Sequence, residues 1–340
     1  MSKKNSNAIL KSQFKNFKNL KEIYLNFKIK LLKLRGKSFL VSVSGGPDSL
    51  ALTALTKSYK LENNNVNFIY VLIDHRIRKN SSKEALAVKN LLKNRKISLK
   101  ILVNKIKIDR NIQSQARDIR YQILTNFCKK NKINNILTGH NLEDQVETFF
   151  IRLSRGSGLT GLSAMKHSNL LTKNIRLSRP LLDVKKEKLI KISKLIFGKY
   201  FKDPSNNNDK YLRTKIRRLK IPLKKSGIKY EQIIKSINNL ASSKAVLDGY
   251  LNNEFERLAK VSKSQIKINL KKFNHLRELS KMEIINKSIK SLRNNYYNPR
   301  SKKVLKLIEN IKNSNFSKAT LAGCLFAKNK QNLSIKNEKI

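Results

Sequence analysis

Two groups of residues in this chain have the types and spacing for chemistry. The first is Ser44-Gly45-Gly46-Pro47-Asp48-Ser49, which follows the apolar run Phe39 to Val43 and precedes the helical pattern LALTAL. A strand, a glycine turn and a helix in that order let the backbone approach an anion closely. The helix then presents its unpaired N–H groups and positive dipole end to phosphate. No Gly-Lys-Ser/Thr closes the loop, so it is not a Walker sequence, and the third glycine of a dinucleotide fingerprint is missing. The loop reads as a pyrophosphate cradle. A glycine turn kept for steric reasons alone is common for a lone Gly-Gly and improbable with two serines and an aspartate at these spacings.

The second group is His140, Asp144 and Glu147 in the stretch TGHNLEDQVETFFIRL. On a helix these three fall at i, i+4 and i+7 on one face, while Leu142, Val146, Phe149, Phe150 and Leu153 form the opposite stripe. The stripe is predicted to seal against a sheet, leaving the polar trio aimed at the cleft beyond the strand ends. Three of the chain's 22 acidic residues fall within Glu143 to Glu147. That concentration suits a cation: Mg²⁺ beside phosphates, with Asp48 and Asp144 as candidate ligands, or an ammonium to be recognised and deprotonated. A solvated polar face is the competing reading, and a lone histidine is more often structural.

The elements that must position these groups are legible as a pattern. Phe39 to Val43, Phe68 to Ile73, Ile101 to Val103 and Ile136 to Thr138 read as strands, separated by amphipathic segments of helical length. Buried-looking strands alternating with helices predict a doubly wound parallel sheet with helices on both faces. Leu20, Ile23, Tyr24, Phe27 and Leu31 fall at helical spacing, so residues 1–37 are expected to give a basic N-terminal helix packed on a catalytic domain of residues 38–222. Pro222 and Ser226-Gly227 mark the boundary of a mostly helical part, residues 223–340, with helices over Tyr230 to Leu258 and Glu278 to Leu292. A possible β-hairpin in the segment from Thr320 ends it.

Lys+Arg of 75 against Asp+Glu of 22 gives a formal charge of +53, which favours a polyanionic partner, nucleic acid first. The even scatter of lysines also fits a general drift of composition, so the two readings share the charge. The longest apolar run, Phe68 to Ile73, is six residues, far short of the roughly 20 a membrane helix requires. No secretory leader is legible, and Cys128 and Cys324 lie too far apart for a metal knuckle or redox pair. A cytoplasmic, membrane-free protein without an obligate protein partner is expected.

Residues 44–49 resemble the signature of the PP-loop ATP pyrophosphatases, the adenine nucleotide alpha-hydrolase-like fold. The resemblance becomes specific when it includes DHRIR at Asp74 to Arg78, NIQSQARDIRY at Asn111 to Tyr121, GHNLEDQVET, RGSGLTGL at Arg155 to Leu162, RPL at Arg179 to Leu181 and DPSN at Asp203 to Asn206. In this order they resemble the tRNA(Ile)-lysidine synthetases over about residues 38–220, with a weaker echo in TLAGC. That likeness implies ATP binding at Ser44, Gly45, Gly46, Pro47, Asp48 and Ser49, with Mg²⁺, and lysine-binding or catalytic roles for Asp48, Arg117, His140, Asp144 and Glu147. Arg117 and Arg120, three apart, are candidates to face one phosphate. Arg213, Lys215, Arg217 and Arg218 become a candidate tRNA-backbone ridge. Asn141 stands where many relatives carry a second histidine.

The implied reaction adenylates the C2 oxygen of the wobble cytidine in the CAU anticodon of tRNA(Ile). The ε-amine of free L-lysine then displaces AMP. The product pairs with A rather than G, changing decoding from AUG to AUA and identity from methionine to isoleucine. Rival readings fit less. A tRNA thiolase needs reactive cysteines or an iron–sulfur ligand set, an amidotransferase needs a glutaminase or a partner supplying ammonia, and a non-enzymatic RNA binder leaves the phosphate loop without a purpose.

Overall fold

The computed structural model describes residues 18–78, 80–109, 112–202, 211–262, 264–293 and 299–338. The DPSN motif at Asp203 to Asn206 and the first residue of NIQSQARDIRY, Asn111, lie outside the described residues. The chain divides into two compact units, Met1–Asn239 and Leu240–Ile340.

The first unit begins with α1 (Lys18–Leu32), β1 (Ser38–Val43), α2 (Pro47–Glu62), β2 (Asn67–Asp74), α3 (Ser81–Lys93) and β3 (Leu99–Val103). It continues through α4 (Ile112–Lys130), β4 (Asn135–Leu137), α5 (Leu142–Leu153), α6 (Leu159–Leu162), β5 (Ser168–Leu170) and β6 (Arg176–Ser178). It ends with α7 (Lys186–Phe197), α8 (Leu212–Arg218), α9 (Lys220–Lys225) and the start of α10 (Tyr230–Leu258). The sheet order is β3-β2-β1-β4-β6-β5, with every pairing parallel except β5 with β6. The expected doubly wound parallel sheet is therefore present. The chain winds from β1 outward through β2 and β3, then returns to the other side of β1 at β4. The carboxyl ends of β1 and β4 thus flank the topological switch point, where open α/β sheets bind ligands.

Both faces of this sheet are covered, which is why its strands read as unbroken apolar runs. Phe39, Val41 and Val43 of β1 point to one face, among Phe27 and Leu31 of α1, Leu50 and Leu55 of α2, Leu92 of α3 and Leu189 of α7. Leu40 points to the other, with Val71, Leu124, Cys128 and Ile136. All five residues of the N-terminal helical stripe, Leu20 through Leu31, are buried.

One expectation is corrected here. The apolar stripe of α5 does not seal against the sheet: Leu142 and Val146, with Phe149 and Phe150, cluster with Tyr230, Ile233 and Ile237 from the first turns of α10. Leu153, at the end of the stripe, is exposed. An amphipathic stripe dictates that a helix be covered on that side and leaves open which element covers it.

The second unit holds the rest of α10, then β7 (Ala259–Val261), β8 (Gln265–Asn269), α11 (Leu270–Asn274), α12 (Glu278–Arg293) and α13 (Ser301–Lys312). Strands β9 (Lys318–Leu321), β10 (Cys324–Lys328) and β11 (Asn332–Asn337) close it. The predicted helices are present, and the hairpin from Thr320 is the β9–β10 pair. Beyond that expectation, β11, β8 and β7 extend it into a five-stranded antiparallel sheet ordered β7-β8-β11-β10-β9. One face of the sheet, carrying Ile266, Ile268, Leu333, Ile335 and Phe326, packs with Ile284 and Ile285 of α12 and Leu307 of α13. No helix among the described residues is long and apolar enough to cross a membrane.

Candidate active site

The phosphate loop leaves β1 at the switch point. Gly45 has φ +80°, and a Cβ there would lie 2.5 Å from Val88 Cγ2, so the turn requires glycine. Ser49 Oγ accepts from the Ser44 N–H at 3.1 Å and donates to the Gly46 carbonyl at 3.0 Å, which ties the loop into a closed ring. Pro47 opens α2, and no side chain caps the helix at Gly46. Proline removes a donor that a helix start does not need, while the uncapped start leaves the following N–H groups and the dipole to an anion.

The loop after β4 packs directly on this helix start. A Cβ at Gly139 would lie 2.8 Å from the Asp48 carbonyl carbon and oxygen, so only glycine permits the approach. The next residues are His140 and Asn141, and α5 starts at Leu142. His140 therefore precedes the helix instead of sharing its face with Asp144 and Glu147, a correction to the i, i+4, i+7 expectation. Asn141 is the N-cap and only 1% exposed: its side chain accepts from the Asp144 N–H at 3.0 Å, and Asp144 Oδ2 accepts from the Asn141 N–H at 3.0 Å. This reciprocal capping box fixes the Asp144 carboxylate. The Asn141 side chain also favours the ionised form of Asp48.

Asp48, Asp144 and His140 are thus brought together around the switch point. Asp48 is pushed up to about 6 by burial, against the lowering influence of Lys186, and its Oδ1 is buried without a protein partner. His140 sits 2.9 Å from Thr138 Oγ1 and is pushed down to about 3, chiefly by burial, with Arg179, Arg117 and Arg213 adding to the effect against the opposing charge of Asp144. Arg117, on α4, stacks over Tyr121 at 5.1 Å. Arg120 acts on His75 and Arg117 on His140, so the two arginines attend different histidines.

Glu147 is 3% exposed. Arg217 Nε donates to its Oε1 at 2.6 Å and a second Arg217 nitrogen to its Oε2 at 3.3 Å; Arg213 Nε lies 3.0 Å from Oε2. Burial holds Glu147 above the usual carboxylate range, outweighing Arg217's hydrogen bond, whereas pairing with Glu147 keeps Arg217 above its own range despite desolvation. Three contacts within 2.6–3.3 Å hold Glu147, Arg213 and Arg217 as an ionised cluster. Of the four cations expected on a basic ridge, Arg213 and Arg217 face inward, while Lys215 and Arg218 are exposed.

The capping role of Asn141 and the parts played by Lys186 and His75 were not read from the sequence, although Asn141-x-x-Asp144 is a legible capping-box pattern. Lys186, whose N–H donates to Glu143 Oε2 at 2.9 Å and whose charge acts on Asp48, carried no local signal. His75 was visible only as a member of the DHRIR motif, and its surroundings appear only in the fold.

No group of three or more His, Cys, Asp or Glu side chains that would cage a metal occurs among the described residues. The fit to Mg²⁺ is instead that of an orphaned buried carboxylate oxygen on Asp48 beside an uncapped phosphate site. Mg²⁺ is commonly held by one or two carboxylates together with substrate phosphates.

A phosphate loop at the exit of the first strand, at the switch point of a mostly parallel sheet, defines a PP-loop domain, and a family model of that description matches residues 13–223. The fold is shared with the U34-tRNA thiolase NcsA from Methanococcus maripaludis, at 21% identity and TM-score 0.56, over 66% of this chain and 80% of that one. The tRNA(Ile)-lysidine synthase of Wolbachia pipientis wMel is 33% identical over 303 residues, 88% of this chain and 70% of the relative. That of Orientia tsutsugamushi is 43% identical over 181 residues, 53% of this chain. This chain belongs to the tRNA(Ile)-lysidine synthase family. Its match to the Orientia protein spans 40% of that relative's length.

Proposed function

We propose that this protein uses ATP to join free L-lysine to the wobble cytidine of a CAU-anticodon tRNA(Ile). The observation that carries the reading is the junction at the switch point, where the Gly139 loop brings the acidic start of α5 onto the phosphate loop. The N–H groups at the start of α2 receive the phosphates of ATP. Asp48, whose Oδ1 has no protein partner, would hold Mg²⁺, which when bound offsets charge on the departing pyrophosphate.

The cytidine C2 oxygen attacks the α-phosphorus, forming the P–O bond as pyrophosphate leaves with the P–O bonding pair. Cytosine C2 is a poor electrophile until its oxygen becomes such a leaving group. With its ammonium proton passed to Asp144, the lysine ε-amine then attacks C2 and expels AMP, its second proton passing to solvent. Asp144 receives the lysine ammonium beforehand, and His140, kept neutral by burial, adds no like charge beside it. Arg117 and the Glu147-held pair Arg213 and Arg217 supply positive charge around the polyphosphate.

The outer face of the second unit's sheet supports tRNA contact there. By register it carries Lys260 opposite Lys267, then Ser334, Ala327 and Lys318 in one row, with Lys336 in the next. Like charges directly opposite cost stability, and a phosphate backbone between them relieves that cost. In the first unit, Lys215 on α8 is an exposed cation suited to a phosphate backbone.

Incubation with ATP, radiolabelled lysine and a CAU-anticodon tRNA(Ile) transcript tests the whole reading. Incorporation dependent on all three is expected, with pyrophosphate release abolished by Asp48→Ala while tRNA binding persists. Incorporation without ATP, or equal incorporation into a tRNA lacking the wobble cytidine, overturns it.

A further inference from the structure

His75 follows β2 at the carboxyl edge of the sheet, in the DHRIR motif that the reaction described above leaves unused. Leu72 of β2 lies opposite Val43 of β1, so His75 and the phosphate loop leave neighbouring strands within a few residues of that pair. Side chains alternate along the strand: Leu72 packs on the α2–α3 side, Ile73 on the α4 side, and the Asp74 carboxylate accepts from Ser82 Oγ of α3 at 2.6 Å. His75 accordingly falls to the α4 side, where Arg120 acts on it.

Both ring nitrogens of His75 are buried and have no hydrogen-bond partner. Buried polar atoms are nearly always paired, and an unpaired donor and acceptor on one ring raise the energy of the ligand-free protein. The turn holding the ring is tightly determined. Asp74 Oδ1 accepts from the Arg76 N–H at 3.0 Å, and Arg76 is held at φ +54°, a conformation non-glycine residues rarely adopt. Asn104, 4% exposed, donates its own N–H to the Asp74 carbonyl at 2.8 Å and fixes the turn from β3.

We propose that His75 is a specificity residue whose two ring nitrogens hydrogen-bond a nucleoside of the substrates, at its base edge or ribose hydroxyls. A neutral imidazole presents one donor and one acceptor. That pairing matches a base edge or a ribose hydroxyl. It does not match a phosphate, which asks for donors only, or an ammonium, which asks for acceptors only. Burial and Arg120 keep the ring in this neutral form, pushing its pKa down to about 4. The inference rests on the proposed function for its choice of nucleosides, which are the adenosine of ATP and the wobble cytidine.

Equilibrium binding of a non-hydrolysable ATP analogue and of a CAU anticodon stem-loop, measured for wild type, His75→Phe and His75→Gln, separates the two sources. His75→Phe is expected to weaken one ligand by about tenfold or more, the worth of a lost hydrogen bond, with the other within about twofold. His75→Gln, which retains one donor and one acceptor, restores most of the affinity. The ligand-free Phe variant melts no lower than wild type, because the orphaned atoms are gone. Unchanged binding of both ligands overturns the proposal. So does a lowered melting temperature with both ligands weakened and no rescue by Gln, which assigns His75 a structural role. Lysine incorporation by wild type, run in parallel, judges the lysidine reading separately, since neither binding measurement depends on turnover.

Discussion

Replacing Glu147 by Gln should loosen α8 and slow both halves of the reaction, because this carboxylate anchors two arginines. It is 3% exposed and makes contacts of 2.6, 3.3 and 3.0 Å with Arg217 and Arg213. Glutamine keeps one acceptor but turns an NH₂ toward guanidinium donors. Removing one member of a buried ion pair costs about 3–5 kcal/mol. Here the arginine side chains remain 33% and 29% exposed, so water recovers part of their solvation, and about 2–3 kcal/mol remains. Hydrogen exchange at residues 212–218 reads this as protection lower by about 30- to 150-fold. Lysine-independent formation of adenylated tRNA and lysine incorporation, followed together at saturating ATP, should both fall. A Glu147→Gln, Arg217→Gln double-mutant cycle should show coupling of at least about 1 kcal/mol. Unaltered exchange at α8 with loss of the lysine step alone would refute the anchoring role and set Glu147 directly on the lysine ammonium.

Two further outcomes follow from distances and charges. Gly139→Ala places a Cβ 2.8 Å from the Asp48 backbone, so the α5 start must retreat from the phosphate loop. Pyrophosphate release should drop on the order of a hundredfold, as for an ångström-scale misplacement, while circular dichroism stays native; wild-type turnover would remove the junction from the mechanism. His75 also predicts a pH effect on stability. Its folded pKa of about 4 lies below the ordinary histidine value of 6.5, through burial and Arg120 of α4 and against Asp74 of β2. A depressed pKa contributes stability above the unfolded value that is lost as pH falls toward the folded one. Between pH 6.5 and 4 wild type should therefore lose about 2 kcal/mol relative to His75→Phe, after allowance for partial exposure. Parallel denaturation curves for the two proteins across that window would contradict it.

Local periodicity and local chemistry made much of this protein legible in advance. Strands β1 and β2 are runs of apolar residues because both their faces are covered, and α10 announced its full span through helical spacing. The phosphate loop declared itself because two serines and an aspartate accompany the glycine turn between a strand and a helix. Strands β5 and β6, at three residues each, are too short to carry a period, and β8 owes its place to the distant β11. The Asn141-x-x-Asp144 capping box lay in plain sequence, being a contact across three residues.

What only the tertiary structure decided involves residues far apart along the chain. Glu147 and Arg217 are separated by 70 residues, and nothing in either neighbourhood says that an apparently exposed basic ridge turns two of its members inward. The covering of the α5 stripe by the start of α10, the contact of Gly139 with Asp48, and the burial of both His75 nitrogens are likewise consequences of which elements lie side by side. Amphipathicity requires that a face be covered, and charge requires that a buried group be paired. Neither names the partner, because that choice is made by the winding of the chain around the sheet.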